Sequence, residues 1–318
     1  MIGKTLEMRK VYAETLVDFA EKDDRVVILE ADLMAAHGTK IFMEKFPERA
    51  INVGVAEANM VGVASGLSLG GKIPFATTFA CFNSRRAFDQ FFISANYAQL
   101  NVKLVGTDPG IVATYNGGTH MGLEDVSMMR TVPNLVIFEP SDPVSLVKLL
   151  KESLEHQGCT YMRMARKEFK VIYDEKQEFK LGKGVVLKEG EDVTIIASGP
   201  VCVPESLKAA MILKEKGISA TVIDMHTIKP IDTELILKYA KKTKAIVTCE
   251  NHNINGALGS AVAEVLGEFN PTPIKRLGVN EKFGEVGDLD YLMKTYRLTG
   301  EQIAEDVYEF VTKGIKRN

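Results

Sequence analysis

Short apolar runs alternate with longer stretches of helical spacing through most of this chain, and that alternation limits its fold more than any other feature. Val26 to Glu30, Ile73 to Thr78, Val102 to Gly106 and Leu135 to Phe138 read as strands. Glu57 to Leu69, Ala87 to Leu100 and Pro143 to Glu155 read as helices, and an amphipathic helix is expected from about Thr5 to Glu21. Strands that return through helices build a parallel sheet covered on both faces. Charge accumulates from Arg166 to Glu191, with several glycines and a hairpin-like segment, which reads as a connection. A second alternating series starts at Val193-Thr-Ile-Ile-Ala-Ser and runs through Ala220 to Asp224 and Ala245 to Glu250. The expected fold is therefore α/β, with two doubly wound domains over residues 1–170 and 191–318 and a linker over 171–190.

Length and charge narrow the function classes. The 318 residues suffice for two domains that each bury a core. A net charge of -3 with mixed signs gives no electrostatic case for nucleic acid or an anionic membrane. Cys81, Cys159, Cys202 and Cys249 form no C-x-x-C pair, which fits reduced thiols. The first residues are charged and amphipathic, and no apolar run is long enough to span a bilayer, so a cytoplasmic protein is expected.

Doubly wound sheets place ligands at the carboxyl ends of their strands. Ala50 to Val53 reads as a strand that passes through Gly54 into the helix beginning at Glu57, which puts that glutamate at such an end. A carboxylate buried against an apolar ring loses solvation, can stay partly protonated, and can share a proton with a ring nitrogen. The helix dipole alone would also favour glutamate in a first turn, so position does not decide between the two roles.

Other motifs carry more. Val53-Gly-Val-Ala-Glu-Ala-Asn-Met60 is followed by Pro74-Phe-Ala-Thr-Thr-Phe-Ala-Cys-Phe-Asn-Ser-Arg-Arg-Ala-Phe-Asp-Gln90, Gly117-Gly-Thr-His-Met-Gly122 and Pro140-Ser-Asp-Pro-Val-Ser145. In that order they resemble the pyrimidine-binding domain of transketolase and of its relative 1-deoxyxylulose-5-phosphate synthase. Glu250-Asn-His-Asn-Ile-Asn-Gly-Ala-Leu-Gly-Ser260 resembles the transketolase C-terminal domain, so the likeness covers nearly the whole chain.

The resemblance implies thiamine diphosphate as cofactor. Glu57 would be the carboxylate that shifts its aminopyrimidine to the imino form, and Phe79 and Phe82 would lie beside that ring, with Phe82 stacking on it. Either Arg85 or Arg86 could face the site. His120 matches the histidine that bonds substrate oxygens near the reacting carbon, whereas His37, His156, His226 and His252 match no such role. Arg9 and Arg166 fall on two phosphate-binding arginines. Three positions depart from the family: Ala36 stands where serine is expected, Asp108 where histidine is expected, and Asn116 where an aspartate contacts a sugar hydroxyl. A carboxylate beside a phosphate dianion is repulsive, so these departures point either to a donor outside the usual sugar phosphates, such as a sulfonated or branched sugar, or to simple drift.

The chain has no Gly-Asp-Gly motif for the diphosphate and its Mg2+ or Ca2+, and no other phosphate cradle. The resemblance thus implies that an N-terminal partner subunit supplies that motif and the metal, in an α2β2 assembly active only when both chains are present. The reaction expected is transfer of a two-carbon ketol unit between sugars. A split 1-deoxyxylulose-5-phosphate synthase, the β subunit of a 2-oxo acid dehydrogenase, and a non-catalytic scaffold remain as alternatives.

Overall fold

A computed structural model describes residues 2–243 and 245–314. Two sheets organise the chain. The first has seven strands in the order Thr227–Lys229, Val136–Phe138, Thr160–Met164, Lys103–Thr107, Ile73–Phe79, Val26–Glu30, Ala50–Asn52. All neighbours are parallel except the first pair. Every residue of Val26–Glu30, Ile73–Phe79, Lys103–Thr107 and Thr160–Met164 is buried. Continuous apolar strands of this kind are what a sheet covered by helices on both faces requires. One face is packed by Met8, Tyr12 and Leu16 of the helix Met8–Lys22 together with Leu146, Leu149 and Leu150 of the helix Pro143–Glu155. The other is packed by Met60, Val61 and Ala64 of the helix Glu57–Leu69, with Phe91 and Ala95.

The second sheet runs Ile274–Val279, Ile246–Asn253, Val193–Ala197, Ala220–Asp224, Val185–Lys188, with only the last strand antiparallel to its neighbour. Helices Gly199–Glu215 and Gly300–Lys313 cover one face and Thr233–Thr243 and Leu258–Phe269 the other. The doubly wound α/β architecture expected from the alternation is thus present twice.

Local chemistry explains several boundaries. Asp142 caps the helix Pro143–Glu155: its side chain accepts from Ser145 N at 2.7 Å, and Ser145 Oγ accepts from Asp142 N at 2.9 Å. Proline at the first helical position costs nothing there, because its missing N–H would have had no partner. Gly54, with φ of 72°, turns the chain from Ala50–Asn52 towards the helix that starts at Glu57.

Three expectations need correction. The N-terminal helix starts at Met8, not Thr5, because Thr5–Glu7 forms a strand paired antiparallel with Glu168–Lys170. That pairing also replaces the hairpin expected within the connecting segment. The helix expected over Ala87 to Leu100 is broken: Ala87 leaves helical geometry, Phe88–Gln90 is a short turn, and Phe91–Tyr97 winds as a wider π-helix. Its phenylalanines are spaced acceptably for either winding, so apolar periodicity does not distinguish them.

The halves are also stitched together. Thr227–Lys229 leaves the second half to pair with Val136–Phe138 at the edge of the first sheet. Beside it Arg163, 1% exposed, donates to Asp125 at 2.8 Å, to Glu139 at 3.0 Å and to the Asn251 carbonyl at 3.0 Å. Ser198 donates to the same Glu139 at 3.1 Å. Burial pushes the Glu139 carboxyl above its ordinary range despite the guanidinium.

Candidate active site

Strand order brings distant residues to one place. The carboxyl ends of Val26–Glu30, Ala50–Asn52, Ile73–Phe79, Lys103–Thr107 and Thr160–Met164 lead into the segments that carry Ala36, Glu57, Phe82 and Arg86, Asp108, and Arg166. This is the end at which parallel sheets bind ligands.

Glu57 is buried at the first position of its helix, and its side chain makes no capping bond. Instead, Arg86 Nη1 donates to both carboxylate oxygens at 2.9 Å. The Arg86 guanidinium lies 4.3 Å over the ring of Phe82 and is half exposed, so the carboxylate is held from one side only. Arg85 points elsewhere: it pairs with Glu124 and donates to the carbonyls of Thr119 at 3.3 Å and Met121 at 3.0 Å. The two neighbouring arginines therefore part, one to Glu57 and the other to the glycine-rich loop that carries His120.

His120 closes an aromatic corner. Its ring lies 5.5 Å from Phe79 and 5.3 Å from Phe82, both edge-on, and the two phenylalanines meet at 5.8 Å and 90°. His120 Nδ1 is 2.9 Å from Thr119 Oγ1. Because His120 is only partly buried, its other ring nitrogen remains able to donate to or accept from a ligand. Asn116 is exposed at the end of the Gly110–Asn116 turn. Burial pushes the nearby Cys81 thiol up to about 12, which makes it unreactive.

A second cluster adjoins the corner. Arg166 lies 4.7 Å over the Phe79 ring and donates to Asp108 through Nε at 2.8 Å and Nη2 at 2.5 Å. Its Nη1 donates to the Ala36 carbonyl at 3.3 Å, and Arg9 Nη1 donates to that same oxygen at 3.1 Å. Arg9 is held in turn by Glu7 through Nε at 2.7 Å.

Reading the sequence left His37 without a role, yet it is fully buried beneath this cluster. Its Nδ1 is 2.6 Å from Glu30, its Nε2 3.1 Å from Thr107 Oγ1, and its ring 6.1 Å from Phe79. Thr39 donates to the other Glu30 oxygen at 2.6 Å. The available signal was Glu30 itself, a charged residue closing an otherwise apolar buried strand. Among the described residues, no group of three or more His, Cys, Asp or Glu could hold a metal ion, and no helix is long and apolar enough to cross a membrane.

A buried carboxylate at a strand end, joined through one arginine to an aromatic corner, is the arrangement the resemblance to thiamine enzymes leads one to expect. The sequence model of the transketolase pyrimidine-binding domain matches residues 4–171, and that of the transketolase C-terminal domain matches residues 182–303. The chain is 50% identical over 302 residues to the 6-deoxy-6-sulfo-D-fructose transketolase subunit SqwH of Clostridium sp. (strain MSTE9), covering 95% of this chain and 94% of that one. It superimposes on a solved split-gene transketolase, described as an inactive β4 tetramer, with a TM-score of 0.88 at 41% identity, covering 96% of this chain and 98% of that one. The 1-deoxy-D-xylulose-5-phosphate synthase of Desulfitobacterium hafniense (strain Y51) is more distant, at 37% identity over 294 residues, 91% of this chain and 46% of that one. The chain belongs to the transketolase family, whose cofactor is thiamine diphosphate, and it corresponds to the C-terminal subunit of a split transketolase.

The residues present suit the pyrimidine half of that cofactor. Glu57 offers a buried carboxylate for a ring nitrogen, and Phe82, partly buried, offers an aromatic face beside it.

Proposed function

We propose that this chain is the pyrimidine-binding subunit of a split transketolase that transfers a two-carbon ketol unit from a ketose to an aldose. The observation that carries the reading is the buried Glu57 held by Arg86, whose guanidinium lies over Phe82 of the Phe79–Phe82–His120 corner. Thiamine diphosphate, when bound, supplies the carbon nucleophile for breaking and remaking the carbon–carbon bond. Glu57 would hold the pyrimidine through its carboxylate, where a proton could be shared, while Arg86 fixes the carboxylate's orientation. Phe82 and Phe79 would exclude water and keep the pyrimidine ring in register. His120 donates to or accepts from the oxygens beside the reacting carbon of the sugar. Arg9 and Arg166 converge on the Ala36 carbonyl and would bind the far end of the substrate, with Asp108 against Arg166, and Asn116 would contact a sugar hydroxyl.

The diphosphate and its Mg2+ fall to an N-terminal partner chain bearing Gly-Asp-Gly, in an α2β2 assembly. Exposed Val55, two residues before Glu57, and exposed Tyr115, next to Asn116, support a protein partner across this face. The name of the SqwH relative supports a donor outside the usual sugar phosphates. We take the functional division as a pyrimidine domain over residues 1–170 and a C-terminal domain over 191–318. The four buried free thiols suit a cytoplasmic setting.

The test is reconstitution. The chain, mixed with a transketolase N-terminal subunit, Mg2+ and thiamine diphosphate, should transfer a ketol unit that neither chain transfers alone. Normal turnover by the Glu57→Gln variant in that mixture would sink the assignment.

A further inference from the structure

We infer that the C-terminal half positions His120: Asn251 and Gly284 hold the loop that carries it, and so act on the reaction without touching the substrate. This rests on the transketolase reading above, in which His120 meets the sugar. Asn251 and Asn253 belong to the motif from Glu250 to Ser260, none of which reaches the strand-end site itself.

The loop from Pro109 to Leu123 is poorly built to hold itself. Gly110, Thr114 and Gly117 have φ of 57°, 49° and 71°. A positive φ in a β-branched residue such as Thr114 is strained and persists only where the surroundings fix it. Tyr115, Asn116 and Thr119 are exposed, so the crown of the loop has little core of its own. His120 N and Met121 N donate within the crown to Gly117 O at 3.0 and 3.2 Å. From the first half, Arg85 reaches the Thr119 and Met121 carbonyls and Lys167 donates to Thr114 Oγ1 at 2.6 Å.

The second half grips the same loop at both ends and at the crown. At its start the buried Asn251 amide is used on both sides: Oδ1 accepts from Ile111 N at 2.8 Å and Nδ2 donates to Pro109 O at 2.9 Å. Gly110 lies between those two bonds, where any Cβ would overlap the Asn251 side chain. At its end Asn253 N donates to Leu123 O at 2.9 Å. At the crown, backbone meets backbone. A Cβ on Gly118 would lie 2.6 Å from Gly284 O, and one on Gly284 would lie 2.9 Å from Gly118 Cα. The segment bearing Gly284 is itself fixed, because the buried Tyr296 hydroxyl donates to Phe283 O at 2.9 Å and accepts from Glu285 N at 2.8 Å. Gly118 is two residues from His120, so a displacement at Gly284 is carried to the imidazole along the backbone. A shift of about an ångström in a group at the reacting centre can cost on the order of a hundredfold in rate. A contact that merely joined the halves would change stability alone.

The experiment is a double-mutant cycle in the reconstituted two-chain holoenzyme, with Asn251→Ala and Gly284→Ala each made alone and together with His120→Ala. With His120 in place, each should lower kcat by roughly ten- to a hundredfold. With His120→Ala there is no imidazole left to misplace, and the same substitutions should change kcat by less than about threefold. Equal losses in the two backgrounds overturn the inference, as does near-normal kcat for both variants that retain His120. A second readout needs no turnover. In the chain alone, isotopically labelled at its five histidines, the His120 ring signals should move in both variants. Unmoved signals overturn the inference. Should Asn251→Ala unfold the chain, Gly284→Ala, in a half-buried surface segment, decides by itself. Ketol transfer by the unaltered mixture keeps the transketolase reading whatever the cycle returns; its absence removes that reading and the inference with it.

Discussion

An arginine meets buried carboxylates in two regions of this molecule, with opposite consequences. Arg86 is half exposed and spends one nitrogen on Glu57, leaving the rest of its guanidinium to solvent and to the Phe82 ring. Arg163, between the two halves, is buried and bonded to Asp125, Glu139 and the Asn251 carbonyl. The first pair can exchange partners when a ligand enters. The second is closed off from water, with Asp125 Oδ1 and Glu139 Oε1 left without a hydrogen-bond partner, and breaking it would strand further charge there. The same side-chain chemistry thus stands at the proposed reaction site in one setting and at a domain contact in the other, and access to solvent makes the difference.

The comparison can be broken most decisively at Glu57. Glu57→Gln should lower kcat by roughly a hundred- to ten-thousandfold while the two-chain complex still assembles, as steady-state kinetics and gel filtration would report. Arg163→Met should do the reverse, costing roughly 3–5 kcal/mol of stability in urea unfolding, because two buried carboxylates lose their counter-ion. An unstable Glu57→Gln protein, or a stable Arg163→Met one, would erase the distinction.

The adjacent arginines sharpen it further. Arg86→Ala should cost roughly ten- to a hundredfold in kcat, the worth of a hydrogen bond to a charged group. Arg85→Ala, which loosens the glycine-rich loop rather than the carboxylate, should cost less than about tenfold by the same scale.

The smallest effect concerns pH. Burial pushes the Glu250 carboxyl up to about 7 although it accepts backbone N–H groups of Leu258 at 2.8 Å and Gly259 at 2.9 Å. An acid whose folded pKa is raised holds more protons folded than unfolded. Its contribution is therefore full below about 4.5 and is lost as pH rises to about 7. Stability should fall across that window by up to roughly 1.4 kcal/mol per pH unit. Glu250→Gln should flatten the slope in urea titrations at a series of pH values. Asp224, raised to about 7 by burial, acts in the same direction.

Much of the fold was legible because its strands are buried on both faces. Val26–Glu30, Ala220–Asp224, Glu57–Leu69 and Pro143–Glu155 all have the boundaries their residues suggested. Thr5–Glu7 was not legible, since its partner is the distant strand Glu168–Lys170 and nothing local marks the pairing. The crossing of Thr227–Lys229 to the first sheet was hidden for the same reason. In the site, Glu57, Phe82 and His120 stood out through their motifs. His37 did not, because its partners Glu30 and Thr107 lie on other strands.

Residue order alone was enough for the doubly wound class, the strand-end position of Glu57 and the membership of its motifs, because apolar periodicity and first-turn position are local properties. Which arginine reaches Glu57, that Asp108 is locked against Arg166, and that Arg163 is sealed between the halves were decided only in three dimensions. Each depends on where side chains from separate strands converge and on how much water is left around them, and neither is written in any one stretch of the chain.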